Sequence, residues 1–229
     1  MRSMAREANR NFQTMGLETR VRIHKGKEFD MSKMNATDAV AFVGKAQNVY
    51  GEVDKQSASG QDFGVSYNFK AEAMVNGFGS VTANSSIVPE VSAFNGNTIL
   101  IATEALAAFS KSSGVEHAEA GGFTIVHGAG HNAGLNHSGD NTTVYSGKNR
   151  FSIPIPFPSV MSSGDQVSES VNNGRSFFNT FISTPNNNKP LFDFTTSSGR
   201  NINYNGSVIH NAFIQRFGNE KPSPKLPVE

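Results

Sequence analysis

Three histidines stand close together in the sequence, at His127, His131 and His137, with Gly134 between the second and the third. The chain has 6 histidines in 229 residues. Three at these fixed positions are expected by chance only roughly 0.004 times in a chain of this length, which makes coincidence a poor explanation. Imidazole nitrogens are common ligands of zinc and other transition metals. The spacing therefore predicts a metal site, and the alternative is a histidine-rich helix end exposed to solvent.

The residues around the first two histidines favour a helix from roughly 119 to 133, because their apolar positions suit one buried side. His127 and His131 then project from the same helix face, one turn apart. Gly134 is predicted to end the helix, since glycine tolerates the left-handed conformation of a C-terminal cap. The chain can then return His137 to the same ion. Three neutral imidazoles with an open fourth position are typical of a catalytic zinc site.

The run from His127 to His137 reads H-G-A-G-H-N-A-G-L-N-H and resembles the metzincin metalloprotease motif H-E-x-x-H-x-x-G-x-x-H. Every fixed position matches except the glutamate, which is replaced by Gly128. In that family the glutamate is the general base that deprotonates the attacking water, and glycine has no group for this role. The resemblance implies a metalloendopeptidase that holds one zinc ion through its three histidines. It also implies that the chain is inactive on its polypeptide substrate.

Gly128 also weakens the helix, because a glycine inside a helix costs roughly 0.5–1 kcal/mol relative to alanine. Two explanations follow. One is a substitution that silences a toxic protease, and the other is a natural pseudo-enzyme that still binds metal. A helix cost without a compensating gain favours the first, but the sequence leaves both open. The second describes a non-catalytic, zinc-stabilised module that binds a peptide or protein. A zinc hydrolase with a non-peptide substrate is a third, weaker interpretation.

A second similarity to metzincins lies downstream, in Val160-Met161-Ser162. It looks like the methionine turn of that family, which passes beneath the metal as an apolar floor, whereas alone it would suggest an ordinary core methionine. Some metzincins have a tyrosine ligand two residues after this methionine. Ser163 occupies that position here, so we expect no ligand from it. Asp140 is a candidate for orienting an imidazole, but an aspartate after Ser-Gly is more often part of a turn.

Composition excludes several classes of protein. A net charge of +1 gives no strong attraction to nucleic acid, and no apolar run is long enough for a transmembrane helix. Cysteine is absent, so neither disulfides nor thiolate ligands contribute. The first residues lack the apolar segment of a secretory signal. Together with the missing base, the absence of a signal segment suggests a toxin domain of a larger secreted bacterial polypeptide. Such a domain would be similar to metallopeptidase domains of polymorphic toxins. An inhibitor or immunity protein is then a candidate partner.

Strand and helix patterns alternate along the chain, which indicates an α+β fold. Alternating or continuous apolar residues predict strands at 21–24, 63–69 and 97–103, with weaker candidates at 73–75 and 80–82. Helical spacing predicts a helix from about 38 to 50, a short one from 103 or 104 to about 111, and a last one from about 206 to 217 that Gly218 caps.

The resemblance implies a metzincin-like zincin. This fold has a twisted mixed sheet backed by helices, an active-site helix, and a loop-rich C-terminal subdomain that ends in a helix. Residues 1–18 are expected as a linker or extension, and 219–229 as a disordered tail. Residues 19–218 then form one catalytic domain, with an upper subdomain to about 134 and a lower one from about 135. The strand at 97–103 is the candidate for the edge that binds substrate, and 186–188 is an exposed tip.

Overall fold

The computed structural model describes residues 1–24, 34–35, 37–45, 90–92, 97–146, 149–184, 193–195, 201–203 and 208–218. Its helices and strands in chain order are α1 (Arg2–Thr14), β1 (Val40–Gly44), β2 (Glu90–Ser92), β3 (Thr98–Ala102), α2 (Thr103–Ser113), α3 (His117–Asn132), β4 (Asn141–Ser146), β5 (Asn149–Pro154), α4 (Gly164–Asn172), a π-helical segment (Phe178–Ile182), β6 (Asp193–Thr195), β7 (Asn201–Asn203) and α5 (Val208–Phe217). This mixture confirms the α+β class. No helix in the described part is long and apolar enough to span a membrane.

The sheet next to α3 is mixed, with the strand order β1-β3-β2 among the described residues. β1 runs parallel to β3, and β2 runs antiparallel to it. Every residue of β3 is buried, as expected for a strand covered on both faces, so the strand predicted at 97–103 is confirmed. Its predicted place at the edge is wrong, because β3 lies between β1 and β2 in the described part of the sheet.

β1 lies where the sequence predicts a helix. The predicted helix covers 38–50, but Val40 to Gly44 form a strand that pairs with Thr98 to Ala102; residues 46–50 are outside the described part. The run Val-Ala-Phe-Val is rich in β-branched and aromatic residues, which suit a strand. Periodicity alone does not separate helix from strand in such short runs. The strand predicted at 21–24 is also wrong, since these residues are in neither a helix nor a strand.

α1 is part of the core, which corrects the expectation of a linker or extension at 1–18. Ala8 is fully buried and Phe12 is 1% exposed. The backbone of α1 approaches α3 closely at Gly122, where an added Cβ would lie 2.8 Å from the backbone nitrogen of Ala8. The ring of Phe12 meets Phe213 of α5 edge-on, with the ring centroids 5.7 Å apart. The first helix therefore supports α3 directly.

Three predicted helices are confirmed: the one from 103 or 104 as α2, the one at 119–133 as α3, and the last one as α5. α5 ends before Gly218, which has a φ of +72°, as its predicted capping role requires. The region after Gly134, expected to be loop-rich, also contains the β4–β5 hairpin and α4. The predictions at 63–69, 73–75, 80–82, 186–188 and 219–229 lie outside the described residues.

Candidate metal centre

The structure brings His127, His131 and His137 together, with their ligand atoms within 4.8 Å of one another. The rings of His127 and His131 are nearly perpendicular, with centroids 4.7 Å apart. The ring of His137 lies 5.2 Å from the first and 4.9 Å from the second, centroid to centroid. His127 is buried, His131 is half-buried and His137 is exposed. The three residues are close enough to hold one metal ion, at a site that solvent reaches from the His137 side.

Main-chain carbonyls orient the two histidines of α3. The Nδ1 atom of His127 lies 2.9 Å from the oxygen of Val160, and that of His131 lies 2.7 Å from the oxygen of Leu135. A carbonyl oxygen only accepts, so each Nδ1 carries the proton and each Nε2 keeps its lone pair. The two Nε2 atoms are 3.0 Å apart. Two lone pairs that face each other at this distance repel, and a cation bound to both would stabilise them.

Gly134 ends α3 as predicted and also helps to build the site. It has a φ of +83°, which favours glycine. Its N–H donates to the oxygen of His131 at 2.9 Å, and the N–H of Leu135 donates to the oxygen of Gly130 at 3.0 Å. These two bonds form the Schellman ending of a helix. The same turn places the Leu135 carbonyl on His131, so the helix ending orients a histidine of the cluster.

The predicted methionine turn packs against α3 beside the cluster. Met161 is fully buried, and its thioether occupies the space that the absent side chain of Gly130 leaves. A Cβ at Gly130 would overlap the sulfur of Met161 and lie 3.0 Å from its Cε. Ser163 caps α4 in a capping box with Gln166.

Burial lowers the pKa of all three imidazoles. At His127 burial is the main cause, with the nearby His131 and His137 adding to it, and the pKa falls well below its usual value. Burial and the neighbouring His137 lower the pKa of His131 to about 4. Partial burial lowers the pKa of His137, against the opposing charge of Asp140. The rings are therefore neutral at pH 7, which is the form that binds a metal.

Asp140 lies close enough to the cluster for its charge to act on His137. Its backbone N–H donates to the oxygen of His137 at 3.0 Å, and between them Gly139 has a φ of +95°. The side chain of Asp140 is exposed. Asp140 therefore closes a turn after the third histidine, and its influence on that imidazole is electrostatic.

The histidine group contains no carboxylate among the described residues. Gly128 is buried within α3 and has no side chain that could accept a proton. Glu119, in the first turn of α3, is separated from His127 by about 12 Å of helix axis, given the rise of an α-helix. The cluster can thus bind a cation, but the helix that carries it supplies no carboxylate base beside it.

Comparisons with known proteins give no match: no protein-family model, no curated protein and no solved structure matches this chain. The resemblance to metzincins therefore stays an expectation from the sequence motif.

Sequence reasoning missed the groups that orient the histidines. The carbonyl oxygens of Val160 and Leu135 belong to apolar residues, whose type carries no signal for a role of this kind. The buried hydroxyls of Ser138, Ser159 and Ser162 also lie beside the cluster. Their spacing follows no motif, because the partners come together only when the chain folds.

Proposed function

We propose that this chain is a zinc-dependent endopeptidase domain of the metzincin type that lacks its general base and binds polypeptide without cleaving it efficiently. The observation that carries the proposal is the convergence of three neutral imidazoles, two of them with Nε2 atoms 3.0 Å apart. Two nitrogens bound tetrahedrally to one zinc ion are about 3.3 Å apart, close to this distance. Three histidines also leave the fourth position open, as catalytic zinc sites do.

Zinc bound at this site would supply Lewis-acid activation of water and of a peptide carbonyl. The residues of this chain account for the rest. His127, His131 and His137 would hold the ion, and main-chain carbonyls orient two of the rings. Gly128 stands where a proton acceptor is needed. General acid–base catalysis contributes about 10²–10⁴-fold, so we expect peptide hydrolysis to be slower by about this factor than in a form with glutamate at this position.

The sheet offers a place for an extended polypeptide. β2 is one of the two outer strands of the described sheet, runs antiparallel to β3 and packs against α3. An extended peptide can add to such an edge through main-chain hydrogen bonds. We therefore assign β2, rather than the buried β3, as the strand beside which a polypeptide would lie.

A second candidate is a non-catalytic, zinc-stabilised binding module. Gly128 favours it, because the cluster has all three ligands and lacks only the base. In this case the metal would stabilise the fold, and the surface beside α3 and β2 would bind a peptide or protein without turnover.

Restoring the base separates the two candidates. The chain as it stands, Gly128→Glu and Gly128→Gln would be incubated with a denatured general protein substrate and zinc, with and without a chelator. The glutamine variant matches the glutamate in size but cannot accept the proton. Chelator-sensitive cleavage by the glutamate variant alone would support the peptidase. Peptide binding without cleavage by any form would favour the binding module. A chain that binds no zinc would contradict both.

The proposed setting is a toxin domain delivered within a larger bacterial polypeptide, with an immunity protein as partner. Its support is the missing base in an otherwise complete cluster. Expression of Gly128→Glu in bacteria is then expected to arrest growth, while the chain with Gly128 is harmless. Harmless expression of both forms would count against this setting.

A further inference from the structure

The residue after the third histidine is anchored through both of its main-chain polar groups. The N–H of Ser138 donates to the oxygen of Met161 at 2.8 Å. Its carbonyl oxygen accepts a hydrogen bond from Nε2 of Gln166, in the first turn of α4, at 3.1 Å. Ser138 is only 4% exposed, whereas the preceding residue, His137, is exposed. An exposed ligand is thus attached directly to a buried, doubly bound residue.

The side chain of Ser138 belongs to a buried group of three hydroxyls. Its Oγ lies 2.8 Å from the Oγ of Ser159 and accepts from the Oγ of Ser162 at 3.2 Å. Ser159 and Ser162 are fully buried, and their hydroxyls also accept from the N–H groups of Met161 and Ser159, both at 3.1 Å. Buried hydroxyls are costly unless they are hydrogen-bonded, so these mutual hydrogen bonds hold the three serines together.

The same four-residue turn, 159–162, therefore contacts two parts of the cluster. Its Val160 carbonyl binds His127 directly, and its serines and Met161 bind the residue next to His137. We propose that Ser138 is a positioning residue for the metal centre, which fixes His137 relative to the two histidines of α3 before the metal binds. This inference rests on the proposed metal site and identifies which residues preorganise it.

The physical reason is conformational entropy. His127 and His131 are held by α3, but His137 is on a loop, and an unanchored loop ligand loses freedom when the metal binds. Fixing a residue costs roughly 1–2 kcal/mol for its backbone alone. Because the hydrogen bonds of Ser138 fix this loop when the chain folds, less conformational entropy is lost when the metal binds. Removing them should therefore weaken metal binding even where the fold persists.

Gln166 offers a precise way to loosen Ser138. Its Oε1 accepts from the N–H of Ser163 at 2.8 Å and caps α4, while its Nε2 donates to the oxygen of Ser138. Glutamate serves equally well in a capping box. Gln166→Glu therefore keeps the helix cap and replaces the donor to Ser138 with an oxygen that cannot donate.

The test compares Ser138→Ala and Gln166→Glu with the unchanged chain and with Ser113→Ala. Ser113 is a matched control, a buried serine in α2 whose hydroxyl donates to the oxygen of Phe109 at 2.7 Å. Zinc affinity would be measured by competition with a chromophoric chelator, and ligand geometry from the visible spectrum of the cobalt-substituted protein. We expect zinc to bind about 10–100-fold more weakly in the first two variants, with a changed cobalt spectrum, and unchanged binding in Ser113→Ala.

The outcomes separate this inference from the proposed function. If the unchanged chain binds zinc and both site variants match its affinity and its cobalt spectrum, the positioning role is wrong while the metal site stands. If the unchanged chain binds neither zinc nor cobalt, the metal site and the positioning role fail together. If Ser138→Ala does not fold, Gln166→Glu decides alone, because it leaves the buried hydroxyls in place.

Discussion

Replacing Gly130 with alanine tests whether Met161 lies against α3. Helix propensity alone predicts that this change stabilises the protein by about 1 kcal/mol. The structure predicts the opposite, because the new Cβ would overlap the sulfur of Met161 and lie 3.6 Å from Cδ1 of Leu135. Both side chains are at most 1% exposed, so neither can swing into solvent. Overpacking of about 3 kcal/mol, less the propensity gain, leaves a net loss of about 2 kcal/mol.

The assay is urea unfolding of the metal-free protein at pH 7, for Gly130→Ala, Met161→Ala and the double variant. Truncating the methionine alone should cost about 2–5 kcal/mol. In the double variant the new methyl group occupies space that the methionine has left, so the loss should be smaller than the sum by about 1–3 kcal/mol. A stabilising Gly130→Ala, or losses that simply add, would refute the packing of Met161 against the helix.

Three further predictions concern the protonation, packing and metal binding of α3. Burial in the folded protein lowers the pKa of His131 to about 4, below its usual value of 6.5. The unfolded chain therefore takes up a proton first as the pH falls, and metal-free stability should drop by about 3 kcal/mol from pH 6.5 to 4; a flat urea midpoint over this range would contradict this. Gly122→Ala should lose about 2 kcal/mol in the same unfolding assay, because its Cβ meets the α1 backbone. Gly121→Ala should lose less, because the nearest atoms to its Cβ belong to the Met4 side chain and not to backbone. Zinc at a hundred times its Kd should raise the free energy of unfolding by about 2.7 kcal/mol and with it the melting temperature. If zinc raised the melting temperature of His137→Ala as much as that of the unchanged chain, zinc would bind elsewhere.

The histidine cluster could be predicted because its information is local. His127 and His131 are one helical turn apart, and Gly134 marks the end of the helix, so a few residues determine most of the geometry. The orientation of the rings could not be predicted. The His127 ring is oriented by the carbonyl of Val160, which is 33 residues away in sequence. Every residue type has a main-chain carbonyl, so the sequence gives no signal for this role.

The errors in the fold have the same origin. β1 forms because Thr98 to Ala102 provide a parallel partner, and no local pattern contains that partner. α1 was expected as a linker, although its buried residues Met4, Ala8 and Phe12 follow helical spacing that is visible in the sequence. The sequence did not show which surface α1 packs against, namely two glycines of α3. Glycines indicate a close contact between helices only once both helices are in place.

The most direct test of the metal site is native mass spectrometry of the purified chain after chelator treatment and reloading with zinc. We expect one zinc ion per chain, and its loss in His137→Ala. Because His137 is exposed, this change should leave the fold intact. A chain that retains no zinc, or a variant that retains as much as the unchanged protein, would contradict the proposal that the three histidines form a zinc centre.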